Sequence, residues 1–135
     1  MKHKYVIAMM ETAEAWAKTS EAKRLQVGAV IAKEDTIIAQ GVNGTYKGLP
    51  NHCEDINGDT LPWVRHAEAA ALDKLVRSTN SADGATMYVT HAPCLNCAYR
   101  IVDSGIRKVY YKDEYRSTAG LEHLQLHGVI VEKLE

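Results

Sequence analysis

No apolar run in this chain approaches the roughly 20 residues needed to span a bilayer. Cysteine is scarce, with only Cys53, Cys94 and Cys97, an odd count that does not build a disulfide framework. No basic excess is present: the formal net charge is -1, whereas proteins that track a long nucleic-acid backbone carry a surplus of lysine and arginine. No internal repeat, low-complexity segment or amino-terminal signal peptide is apparent. These absences argue against membrane, disulfide-scaffold and polymer-binding classes. They leave a single domain over residues 1–135, expected in a reducing cytoplasm, or a host cytoplasm if the gene is viral. Apolar residues make up 46% of the chain and charged residues 24%, the balance of an ordinary globular protein with a real core.

Periodicity predicts nine elements. Val6, Met9, Met10, Ala13, Trp16 and Ala17 recur near helical spacing over residues 4–19. Val27–Ile31 and Thr36–Ala39, separated by Glu34-Asp35, read as a hairpin. Residues 41–62 hold four glycines, two prolines and three asparagines and read as a long loop, which inside one domain is usually functional. A helix is expected from His66 to Arg77, a strand over 85–90, and a helix from Pro93 or Cys94 that stops at Gly105. A strand at 109–111, a helix over 118–127 and a strand at 129–131 complete the order. Strands that alternate with helices imply parallel pairing through right-handed crossovers. The expected fold is therefore α/β, a three-layer sandwich with a mixed five-stranded sheet whose last strands are parallel.

Chemistry concentrates in His66-Ala67-Glu68 and Pro93-Cys94-Leu95-Asn96-Cys97. One histidine and two cysteines give three ligands for a tetrahedral metal such as Zn2+, one ion per chain. Structural zinc sites usually close with four protein ligands, whereas catalytic ones keep a position for water. Cys94 and Cys97 lie three apart at a helix start, where free N–H groups and the dipole favour thiolates. Two thiolates and a neutral imidazole make the site formally neutral with a bound dication. A neighbouring carboxylate is then needed as a base, and Glu68 is placed for it. The competing readings are a closed structural site with Cys53, His52 or His91 as fourth ligand, a redox Cys-x-x-Cys, and a non-catalytic zinc module with no use for Glu68.

The joint pattern His-x-Glu followed by Pro-Cys-x-x-Cys is the known signature of zinc nucleobase deaminases. With Val27–Ile31, Gly41-Val42-Asn43-Gly44-Thr45, Gly84–Thr90 and Ser104–Val109 followed by Asp113-Glu114-Tyr115, the chain resembles the cytidine deaminase superfamily. Within it, the deoxycytidylate (dCMP) deaminases are most similar. That resemblance implies a mixed five-stranded sheet between helices and hydrolysis at C4 of cytosine, turning dCMP into dUMP, with Glu68 shuttling protons. It also implies a sugar contact from Asn43 and substrate contacts from Ala67 and Tyr115. Lys23, Arg24, Lys47 and Arg65 are the phosphate candidates, Arg24 foremost.

The glycine-spaced segment with Gly41, Asn43, Gly44 and Gly48, together with Arg77, matches a regulatory site for dCTP with Mg2+ as activator and dTTP as inhibitor, commonly in a homohexamer. Relatives act instead on dCTP, transfer-RNA adenosine, guanine, free cytosine or a riboflavin precursor. Two departures stand out. Ala70 replaces an asparagine usual in the family, and the short 49–65 stretch predicts no second zinc.

Overall fold

The computed structural model describes residues 1–135. Its elements follow the expected order: α1 (His3–Ala17), β1 (Gly28–Lys33), β2 (Thr36–Val42), α2 (Ala67–Leu75), β3 (Thr86–His91), α3 (Leu95–Ser104), β4 (Lys108–Asp113), α4 (Ala119–Leu126) and β5 (Ile130–Lys133). The sheet runs β2-β1-β3-β4-β5. β1 pairs antiparallel with both β2 and β3, while β3–β4 and β4–β5 are parallel. Helical crossovers make the parallel half and the tight Glu34-Asp35 turn makes the hairpin.

Alternation along the strands divides the core between two faces. Val30, Ala32 and Tyr88 meet Val6, Met9, Met10 and Ala13 of α1 on one side. Ala29, Ile31, Met87, Val89 and Val109 lie in the larger cluster on the other, with Ala71 of α2, Ile101 of α3 and Leu124 of α4. Trp16 departs from its expected place in the apolar stripe and is 41% exposed. Residues 6, 9, 10, 13 and 17 already fill the face turned to the sheet, and position 16 falls on its flank.

Element ends also differ slightly from expectation. α2 stops at Leu75, so Arg77 lies beyond it and is exposed. α3 begins at Leu95 with Cys94 as N-cap, which leaves Pro93 outside the helix, fully buried in the preceding turn. Gly105 closes α3 in the left-handed conformation, φ 85°. No helix is long and apolar enough to cross a membrane.

Candidate active site

The two helix starts carry the chemistry. His66 is the N-cap of α2 and Cys94 the N-cap of α3, both with extended backbone (ψ 156° and 172°) and neither using its side chain to cap. Their backbone carbonyls still accept the first helical bonds, from Ala70 and Ala98, at 2.9 Å each. The side chains are thus free to point at one another. His66 Nδ1 lies 3.4 Å from Cys94 Sγ and 3.3 Å from Cys97 Sγ. These three donor atoms all fall within 4.8 Å of one another.

Nitrogen plus two sulfurs suits a borderline-soft dication such as zinc. His52, Cys53 and His91 stand outside this group. Three donors rather than four leave a coordination position, and His66 is exposed toward the cavity beside it. The electrostatics set the two thiols apart. A hydrogen bond from Cys97 holds the Cys94 thiol down to about 4, with His66 adding to the effect. That same bond and burial push the Cys97 thiol up, and hydrogen bonding to Cys94 raises His66.

Glu68, one turn-position beyond Ala67, is only 4% exposed although it is charged by type. Burial pushes its carboxyl up to about 7, against the opposing pull of its own backbone N–H and of His66. A carboxyl near neutrality holds or releases a proton with equal ease, the condition for a shuttle at physiological pH.

Two glycines let the ligand-bearing helices close in. A Cβ on Gly41 of β2 would meet the Ala67 carbonyl oxygen and the Ala71 nitrogen at 2.5 Å and the Ala70 Cβ at 2.9 Å, so the bare backbone admits α2. Ala70 belongs to that same contact. On the other side, a Cβ on Gly120 of α4 would collide with the Pro93 and Cys94 carbonyls.

Above the donors opens a cavity of about 620 Å³. Its wall includes His66, Ala67, Glu68 and Cys94 at the floor, then Arg24, Leu25, Val27, Asn43, Glu54, Thr60, Val64, His91, Glu114, Tyr115 and Arg116. Arg24, Asn43, Ala67 and Tyr115 therefore share one space with His66 and Cys94. Asn43 is also a strut: its Oδ1 accepts from Val27 N–H at 2.9 Å and its Nδ2 donates to the Leu25 carbonyl at 2.7 Å. His91 is engaged by Thr90 Oγ1 at 3.3 Å and lies 3.6 Å from the Asp113 carboxylate.

Lys23, Lys47 and Arg65 do not line the cavity. Arg65 is bound to Asp73 at 3.0 Å and stacks over Tyr46 at 4.6 Å. Of the regulatory residues, Gly41 is buried in the packing against α2, Gly44 bridges to Arg65 through two backbone bonds, and Gly48 occupies an exposed turn at φ 91°. Arg77 stands apart from the cavity. Sequence reading missed Glu54, Thr60 and Arg116. Only Arg116 carried a sign, as a cation adjoining Tyr115.

The family model for the cytidine and deoxycytidylate deaminase zinc-binding region matches residues 2–113. ComE operon protein 2 of Bacillus subtilis is 36% identical over 124 residues, covering 88% of this chain and 65% of that protein. The chain thus spans just under two thirds of that relative's length. Deoxycytidylate deaminase of Mus musculus is 36% identical over 135 residues, covering 87% of this chain and 72% of the mouse protein. The crystal structure of dCMP deaminase from the cyanophage S-TIM5, in complex with dCMP and dUMP, superposes with a TM-score of 0.97 at 45% identity, covering 99% of each chain.

Proposed function

The chain belongs to the cytidine and deoxycytidylate deaminase family of zinc enzymes, and on that premise we propose that it hydrolyses dCMP to dUMP and ammonia. The observation that carries this reading is Glu68: a buried carboxyl raised to about 7, beside one nitrogen and two sulfur donors, in the floor of a cavity of about 620 Å³. His66 Nδ1 and the sulfurs of Cys94 and Cys97 would hold zinc, which when bound acts as a Lewis acid and lowers the pKa of water.

The chain's own groups do the remaining work. Glu68 would take a proton from the attacking water and deliver it to N3 of the cytosine ring, then take the second proton from the hydroxyl now on C4 and pass it to the amino group, which leaves as ammonia while the C4 carbonyl forms. Ala67 is the first residue of α2, so its N–H has no intrahelical partner and faces the base. Tyr115 offers a ring for stacking, as aromatic faces do for any base. Arg24, joined by Arg116 in the wall, supplies charge-assisted donors for the 5′-phosphate. Asn43 orients the Leu25–Val27 backbone beneath the sugar.

Regulation by dCTP with Mg2+ and by dTTP, in a cytoplasmic homohexamer, completes the proposal. Its support is mechanical: Gly44 is tied to Arg65 by paired backbone bonds of 3.0 and 2.8 Å, and Arg65 immediately precedes the ligand His66. A nucleotide that moved the 41–48 segment would therefore move the metal donor.

The deciding experiment is Glu68→Gln, assayed for ammonia release from dCMP, dCTP, deoxycytidine and adenosine-containing RNA, with and without dCTP–Mg2+ and dTTP. The variant should keep its zinc and its fold and lose at least about 100-fold in kcat, the scale of a general acid–base. Undiminished turnover would sink the proton-shuttle role. Insensitivity to both triphosphates would remove the regulation and leave the chemistry standing.

A further inference from the structure

Glu54 is out of place by charge in a cavity that receives a phosphate, since a carboxylate in the wall repels the ligand. Its hydrogen bonds account for its presence. Oε2 accepts the backbone N–H of Lys23 at 3.0 Å and that of Arg24 at 3.1 Å, across about thirty residues of chain. No other hydrogen bond joins the 51–62 loop to the 20–27 segment.

The carboxylate is itself held from behind. Glu54 bridges to Thr60, the buried Cys53 accepts from Leu61 N–H at 2.8 Å, and Asp55 closes the turn between them through Asn57 and Asp59. Leu25 and Val27 are anchored separately by Asn43, and Ser20 donates to the Asn43 carbonyl at 2.8 Å. Between these anchors, Lys23 and Arg24 have irregular backbone whose N–H groups only Glu54 engages.

We propose that Glu54 is a positioning residue: it fixes the Arg24 backbone so that the guanidinium faces the phosphomonoester of the substrate. The inference rests on the reading of Arg24 as a phosphate contact and adds the residue that sets it in place. An ionised acceptor suits the task because charge-assisted bonds are stronger than neutral ones, and two N–H donors offset the carboxylate charge that the phosphate would otherwise meet.

A double-mutant cycle separates positioning from general structure. Glu54→Ala should lower kcat/KM for dCMP by about tenfold, mainly through KM, as loss of charge-assisted bonds implies. Glu54→Gln retains a carbonyl acceptor and should lose only about threefold. In an Arg24→Ala background, removing Glu54 should cost less than about twofold, because the residue it serves is gone. Should Glu54→Ala fail to fold, the same cycle is read with Glu54→Gln.

Amide hydrogen exchange at Lys23 and Arg24 reports the clasp without any substrate, and protection there should fall in both Glu54 variants. Equal losses in the two backgrounds, or unchanged exchange at those amides, would overturn the proposal. A wild-type protein that releases no ammonia from dCMP would overturn the substrate reading and the phosphate half of this one, while exchange still decides the clasp.

Discussion

Gly120→Ala sets two effects of opposite sign against each other at the contact between α4 and the cysteine turn. In a helix, alanine is better than glycine by about 1 kcal/mol, so an open site would gain stability. Here the added Cβ would stand 2.9 Å from the Cys94 carbonyl carbon and oxygen and closer still to the Pro93 oxygen. Comfortable contact begins near about 3.5 Å, so α4 or the turn must retreat by more than about half an ångström. The obstructing atoms are backbone of a buried turn, which cannot rotate aside as a long side chain can. Overpacking of that kind costs about 1–3 kcal/mol. Taking the upper half of that range and subtracting the helix gain leaves a net loss of about 1–2 kcal/mol.

The turn that must yield carries Cys94, so zinc affinity should also fall, by about 10–100-fold as for other groups that orient a metal ligand. Urea unfolding of the zinc-loaded variant reads the first effect and competition with a calibrated chelator reads the second. A variant at least as stable as the parent, with unchanged zinc affinity, would refute the close-contact reasoning.

Two further outcomes are expected. Burial, and to a smaller extent Tyr110, raises the Tyr88 phenol from 10.0 to about 12. Above pH 10 the unfolded chain ionises at this residue while the folded one keeps its proton. Stability is therefore full below about pH 10 and falls by up to about 2–3 kcal/mol as the pH climbs to 12. Tyr88→Phe should flatten this alkaline limb in urea unfolding, and an identical limb in the variant would refute the assignment. Elemental analysis should find one zinc per chain, with ammonia release lost on chelation and restored by stoichiometric zinc. Two ions per chain would contradict the single three-donor cluster.

The secondary structure and the metal donors were legible because each has a local signature. Short runs of apolar and β-branched residues marked the strands, Gly105 marked the end of α3, and the two short motifs put all three donors at helix starts. What stayed hidden depends on contacts distant in the chain. Glu54 and Thr60 lie in a polar loop with no periodicity, and nothing in their neighbours announces that the loop folds back over residues 22–27. Trp16 was misplaced because helical spacing alone tolerates one position too many in a stripe. Asn43 was readable as a site residue by resemblance, yet its hydrogen bonds to Leu25 and Val27 became visible only when both strand ends were set side by side.

The topology explains why these scattered residues meet. In parallel α/β sheets, ligands gather outside the carboxyl ends of the strands, and here His91 ends β3, Ala92 and Cys94 follow it, and Glu114, Tyr115 and Arg116 follow β4. β1 runs antiparallel to β3, so its beginning rather than its end lies at that same edge. Residues 22–27, which lead into β1, are therefore delivered to the cavity by the reversal. β2 reverses again and brings its own end, Asn43 and the loop beyond, to the same place. A fully parallel sheet would send the segment bearing Arg24 to the opposite edge, away from Cys94. The hairpin is thus the element that brings the Arg24 cation to the cavity lined by His66 and Cys94. Because the reversal leaves residues 22–27 as irregular chain crossing the rim, that segment needs the two outside anchors it has, Asn43 at Leu25 and Val27 and Glu54 at Lys23 and Arg24.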